Sequence, residues 1–186
     1  DQVLPITGEL ITAAKVFESV TAVVVGPAGA HEPLVPQLAA LGADVIVAAV
    51  GADTAQRVVL PATDALSMLA AGAPGPILVG AGVTGNEIAG RLAARLASGV
   101  LCDVVQVNSD LTALMSIFGD AIEVSTAVGG SSPIYTMRHG ATEVPAKPTP
   151  GAGVVSTFEL PAASEKDVTV TKFVPAVKGD RPDLTN

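Results

Sequence analysis

The stretch Pro76–Val105, PILVGAGVTGNEIAGRLAARLASGVLCDVV, decides the fold. It reads as a strand, a glycine-rich turn, a helix and the start of another strand. Pro76 to Val79 are apolar and partly β-branched, as a strand covered on both faces should be. Thr84 supplies a hydroxyl for the helix N-terminus, and Glu87, three residues on, completes a capping box. Ile88, Leu92 and Leu96 share one helix face. Ala89, Ala93 and Ala94 keep the helix slim against a sheet. Glu87 and Arg91 stand four apart in the order that favours an ion pair. Gly99 is placed as a left-handed stop.

Gly80, Gly82 and Gly85 spell G-x-G-x-x-G between this strand and this helix, the spacing of a dinucleotide-binding turn. Amides at a helix N-terminus attract phosphate. The full fingerprint also wants an acid about 20 residues on, at the end of the following strand, and it belongs to the first strand–helix turn. Asp103 has the spacing but precedes its expected strand, Val104 to Val107, and at least two strands come earlier in the chain. The plainer reading is that the glycines allow a tight turn and close helix–sheet packing. Both readings stand at this point.

Upstream, a helix starts almost at once. Thr7 is placed to cap it, and Leu10, Ile11, Ala14 and Phe17 lie on one side. A doubly wound domain normally opens on a strand, and none is present before this helix. The expectation is that polypeptide preceding Asp1 supplies one, since its lack leaves ladder groups unpaired. Thr21 to Val25 is a strand, turned by Gly26, Pro27 and Gly29. A helix from Pro33 to Leu41 ends at Gly42, and Asp44 to Val50 is the next strand. After Gly51 and Asp53 comes a helix from Pro61 to Ala71, with Leu66 and Leu69 inward and Pro61 in its first turn. The alternation through Val107 predicts an α/β, parallel, doubly wound sheet, Rossmann-like and akin to adenine-nucleotide alpha-hydrolases, with helices on both faces.

Beyond Asp110 additional short strands follow. Leu114–Phe118 and Ala121–Val128 flank Gly119-Asp120 as a hairpin. Pro133–Arg138 is a strand with one covered face (Ile134, Thr136, Arg138 alternating with Tyr135, Met137) and one less covered. Residues 145–153, PAKPTPGAG, read as an extended, exposed linker. Val154–Leu160 and Val168–Val174 are two more strands, separated by a charged turn at Glu165, Lys166 and Asp167. The expected organisation is one α/β domain over 1–186: a core at 1–110 lacking its first strand, a β-rich extension at 111–176, and a linker at 177–186.

The 186 residues carry a formal charge of −8, with 15% charged and 49% hydrophobic residues. That balance argues against nucleic acid, which selects basic patches. The apolar runs fall short of the ~20 residues of a membrane span, and no signal-peptide pattern opens the chain. The single Cys102 excludes an internal disulfide and fits a reducing compartment. The lack of Trp and the lone Tyr135 exclude an aromatic stacking platform.

Candidates for chemistry are few. His31 and His139 have no acidic or thiol partner at local spacing, which makes them surface residues. Cys102, without a basic neighbour, reads as a small core residue. Arg138 could hold an anion or serve in an ion pair. Asp180, Arg181 and Asp183 form a charged cluster in the linker. No zinc-like ligand spacing, nucleophile elbow or P-loop occurs. The expected catalytic, cofactor-binding and metal residues are therefore none.

The segment TGNEIAGRLAARLASGVLCDVV resembles the signature helix of the electron-transfer flavoprotein alpha subunit, T-G-x-E/D-x-x-x-R-L-A-A-R-L followed by G-x-x-x-D. GELITAAK resembles that family's first helix. FGDAIEVSTAVGGSSPIYTMRHGATEV resembles its F-G-G-x-A and P-x-x-x-T-V-R-P-G segments, with Met137 and His139 where Val and Pro are usual. KGDRPDLTN is similar to the link into the flavin domain. The resemblance implies the N-terminal α/β domain of an electron carrier rather than an enzyme. FAD would be bound mainly by an absent C-terminal domain, with none expected in this fragment. It further implies a beta subunit carrying AMP, acyl-CoA and other dehydrogenases as electron donors, and a quinone reductase as acceptor. The location it implies is a bacterial cytoplasm or, second, the mitochondrial matrix. The alternative function is nucleotide binding at the Gly80–Gly85 turn; a free-standing interaction module is the third.

Overall fold

A computed structural model of the chain describes residues 2–165 and 167–175. In chain order the elements are α1 (Pro5–Ala14), β1 (Thr21–Gly26), α2 (Val35–Leu41), β2 (Val45–Val50), α3 (Leu60–Gly72), β3 (Ile77–Gly80) and α4 (Val83–Leu96). They continue with β4 (Val100–Val107), β5 (Ala113–Ile117), β6 (Ile122–Thr126), β7 (Ile134–Met137) and β8 (Val154–Glu159). The α/β class and the early strand–helix alternation are as the sequence predicts.

The strands form two sheets rather than one. A parallel sheet has the order β1-β2-β8, and a mixed sheet has the order β3-β7-β4-β5-β6. In the second sheet β7 lies between β3 and β4 and runs parallel to both. This corrects the half-covered reading of Pro133–Arg138: Ile134, Tyr135, Thr136 and Met137 are all buried. A strand inserted between two others, under helices on both faces, has no solvent side. Both of its buried hydroxyls are satisfied: Thr136 Oγ1 accepts the Asp103 amide at 2.9 Å, and the Tyr135 hydroxyl donates to the Leu111 carbonyl at 2.7 Å.

Helices cover both faces. Leu10, Ala13 and Phe17 pack on the mixed sheet with Val104, Tyr135 and Met137, while Ile11 and Ala14 of the same helix pack with Val20, Leu38 and Ile46. Thus α1 bridges the two sheets on one face. On the other, α3 and α4 pack together over Ile77, Ile134 and Val100. The chain between Val20 and β2 is fixed by Asp44, whose carboxylate accepts the Val20 N–H at 2.9 Å and faces Lys15 Nζ at 3.4 Å.

The Val20 N–H, first among its causes, holds the Asp44 carboxyl below the ordinary range. A group depressed in the folded state contributes stability above its unfolded pKa and loses it as pH falls through the folded value. Asp44→Asn is therefore expected to melt lower than the parent at neutral pH. The difference should shrink as pH drops below about 4, as thermal melts across pH would show.

Several expected boundaries shift. α1 begins at Pro5 with Leu4 as its N-cap, so Thr7 lies inside the first turn and its amide donates to the Leu4 carbonyl at 2.9 Å. Pro5 suits this entry because its missing N–H would be an orphan there. The linker at 145–153 is only partly free: the Gly151 and Gly153 amides donate to Ala39 and Ala43 carbonyls and lead straight into β8. The expected strand Val168–Val174 reduces to an isolated antiparallel bridge, Arg57 with Thr169. The hairpin is as expected, with Phe118, Gly119 and Asp120 all at positive φ in its turn. The cluster Asp180, Arg181, Asp183 and the segment 177–186 lie outside the described residues.

Candidate functional site

The glycine turn sits at the carboxyl end of β3. Its helix starts at Val83, one residue before Thr84, with Gly82 as N-cap and no side-chain cap. The expected capping box is therefore absent, and Glu87 turns the other way, accepting from Arg91 at 2.7 Å. The reason is steric. Gly85 lies against the Gly80 carbonyl so closely that a Cβ there would overlap its oxygen. Such an approach pulls the helix start back onto the end of the strand. Gly82 takes φ +139 to make the corner, a conformation L side chains rarely adopt. Above Gly80, a Cβ would meet Ile6 of α1 at 2.9 Å and the His139 ring at 3.5 Å. All three glycines are thus accounted for by packing or by φ, without a ligand.

The helix ends on Ala97, itself left-handed at φ 47, rather than on Gly99. Gly99 is required for a different reason: Val128 occupies the place its Cβ would take, at 2.5 Å.

Asp103 is inside β4, not ahead of it, because that strand starts at Val100. A register shift between Leu101 and Val104 places Asp103 at φ 57. The irregularity turns Cys102 outward, so this residue is exposed, against the core position expected from its apolar neighbours. Cys102 should accordingly react with a thiol-specific dye in the native protein as fast as in the urea-unfolded chain. A native rate slowed about a hundredfold would mean burial.

Arg138 follows β7 and is an ion-pair residue. Its Nε and Nη2 reach Asp103 Oδ2 at 3.0 and 2.7 Å, Nη1 reaches Asp120 at 3.0 Å, and Nη2 also donates to the Ser116 carbonyl. The Asp120 carboxyl is held below its usual range, first by the Ser116 hydroxyl and then by Arg138. The cluster stitches the β5–β6 hairpin to the irregular part of β4. His139 is exposed with Nε2 2.9 Å from the Ala81 carbonyl oxygen, and half-buried His31 lies in the turn before α2. Among the described residues, the hydrogen bonds join neither ring to an acid or a thiol.

The charged centre that sequence reasoning missed is Arg57. It is buried, and its side chain donates to Asp167 at 3.0 Å, the Pro161 carbonyl at 2.9 Å and Asp64 at 3.1 Å, with Asp53 at 3.7 Å. Asp64 is shared with Arg95 of α4 at 2.6 Å. Local signals were present: an arginine beside Val58-Val59-Leu60, with an aspartate four residues before and another seven after. The third carboxylate comes from 110 residues away. Among the described residues no group of His, Cys, Asp and Glu could hold a metal, and no helix is long and apolar enough to cross a membrane.

The fold and these clusters define a Rossmann-like α/β domain in which each described arginine pairs with a carboxylate of the same chain. Within that class the chain belongs to the electron transfer flavoprotein domain family, whose model matches residues 1–163. It is 41% identical over 181 residues to the electron transfer flavoprotein subunit alpha of Mycobacterium leprae, covering 97% of this chain and 56% of that protein. The alpha subunit of Mycobacterium tuberculosis is 45% identical over 161 residues, 86% of this chain and 50% of the relative. That of Syntrophomonas wolfei is 33% identical over 196 residues, 97% and 57% respectively. The chain therefore spans about half the length of the relatives it matches.

Proposed function

We propose that this chain is the N-terminal scaffold and interaction domain of an electron-transfer flavoprotein alpha subunit. The observation that carries the reading is the match of nearly the whole chain to half of each alpha subunit. In the intact protein FAD is held mainly by polypeptide beyond this domain, with a beta subunit completing a heterodimer. The carrier takes electrons from acyl-CoA and other dehydrogenases and passes them to a quinone reductase, in a bacterial cytoplasm. Two features support a role without an active site here. Each glycine of the Gly80–Gly85 turn has a packing or conformational cause, and Arg57 and Arg138 are saturated by carboxylates and carbonyls. The organisation of the chain as one domain, with its last ten residues a link onward, belongs to this reading.

Co-expression with the beta subunit encoded in the same genome tests it. The expected result is stoichiometric copurification and no visible flavin absorbance from the domain alone. Thermal melts with AMP, ATP and NAD should show no shift; a nucleotide at a hundred times its Kd would add about 2.7 kcal/mol. A clear shift would favour the nucleotide-binding alternative, and failure to copurify would favour a free-standing module.

A further inference from the structure

After β8 the chain lies against residues 56–58, just ahead of α3, and polar contacts hold it there. Arg57 donates to the Pro161 carbonyl at 2.9 Å and to Asp167 Oδ1 at 3.0 Å. The Val58 N–H donates to the Val168 carbonyl at 2.9 Å, and the Val170 N–H donates to the Gln56 carbonyl at 2.7 Å. These two bonds flank the bridge of Arg57 with Thr169. Within the segment the Ser164 N–H donates to Asp167 Oδ2, which keeps that carboxylate turned toward Arg57.

Apolar burial does not fasten this segment. Among residues 161–165 and 167–170, Asp167 alone turns inward, and Val168 and Val170 are 60% and 43% exposed. Segments with few buried apolar contacts open at the lowest free energy in a fold.

The charges at the seam also favour parting. Arg57 faces Asp167 at 3.0 Å, Asp64 at 3.1 Å and Asp53 at 3.7 Å. Arg95 shares Asp64, so two cations there meet three carboxylates. Once Asp167 leaves, two cations keep two carboxylates. Release therefore strands no lone charge on the body, which is the usual cost of breaking a buried pair. A cavity of about 250 Å³ already lies at the seam, between Arg57, Asp64 and Arg95 on one side and Pro161 and Asp167 on the other. At about 30 Å³ each, it has room for on the order of eight waters to hydrate the groups as they part.

We infer that the polypeptide after β8 is a charge-latched strap, with Asp167 as the bolt and Arg57 as the catch. The strap opens as a unit while both sheets stay folded. Opening frees the backbone edge at Gln56–Val58 and uncovers Arg57, which Asp53 and Asp64 continue to balance. The inference stands whether or not the electron-carrier reading holds.

Amide exchange of the 186-residue chain, resolved by NMR across a urea series below the unfolding transition, tests it. The Val58 and Val170 amides should exchange at least tenfold faster than those of β2 and β7. Their rates should stay flat with urea, because local opening exposes little surface, whereas the rates of β2 and β7 climb. Asp167→Asn should quicken Val58 and Val170 exchange at least tenfold more. Glu165→Gln, the loss of an exposed neighbouring carboxylate, should leave the parent rates unchanged. The inference is overturned if Val58 and Val170 exchange climbs with urea in parallel with the sheets. It is equally overturned if Asp167→Asn exchanges like the parent, or if Glu165→Gln matches Asp167→Asn.

Discussion

Replacing Arg57 with methionine is expected to destabilise the fold by about 3 kcal/mol, because the change strands carboxylates that lie out of water. Asp167 and Asp64 side chains are 3% and 12% exposed beside it. The Pro161 carbonyl loses its donor in the same substitution. Arg57→Lys should recover only part of the loss, since one ammonium cannot reproduce a planar fork that reaches three acceptors at once. The acid limb separates charge from packing. The Asp167 carboxyl is depressed first by the Ser164 N–H and then by Arg57. Its stabilising contribution is present above the unfolded value of about 3.9 and is lost as pH falls through the folded one. Urea midpoints of parent and R57M should therefore converge in acid, and a gap independent of pH would assign the loss to packing alone.

Gly85→Ala should cost about 3 kcal/mol, against the ordinary rule for helices. An alanine for a helical glycine commonly gains about 0.5–1 kcal/mol. Here the added methyl meets the Gly80 carbonyl oxygen, which is backbone and cannot swing away as a side-chain tip would. Relief requires α4 to lift off β3, which opens the contacts of Ala89 and Leu92, both fully buried. Gly90, five residues on and exposed in the same helix, is the control. A Cβ there meets nothing within 4 Å, so Gly90→Ala should stabilise by about 0.5 kcal/mol or more. Opposite signs in the two urea midpoints are the expected result; a gain at both positions would refute the packing account of the turn.

Local features were well exposed in the amino-acid order. The four helices, the hairpin around Gly119-Asp120 and the Glu87–Arg91 pair follow from periodicity, turn chemistry and spacing, all of which act within a few residues. Strand order was not legible in the same way. β7 and β8 carry apolar residues that suit any covered position. What places β7 between β3 and β4, and β8 beside β2, is the competition among whole strands for burial. Caps failed for a related reason. Thr84 had the right chemistry, but the close approach of Gly85 to Gly80 sets the helix start, and that approach is a tertiary fact. Cys102 was misplaced because its apolar neighbours do not reveal the irregularity of β4. Arg57 went unnoticed because one of its carboxylate partners lies in a segment far along the chain.

The position of β7 also dictates an order of events during synthesis. Among the described residues β3 has its hydrogen-bonded strand partner in residues 134–137, and the gap between β3 and β4 is one strand wide until those residues leave the ribosome. Helices α3 and α4 can meet early, yet the apolar edges beneath them stay open through the translation of the entire β5–β6 hairpin. Such delayed, non-local pairing slows folding and leaves nascent chains prone to aggregation. The exposure outlasts Met137, because β2 gains its β8 partner only once Val154–Glu159 have emerged.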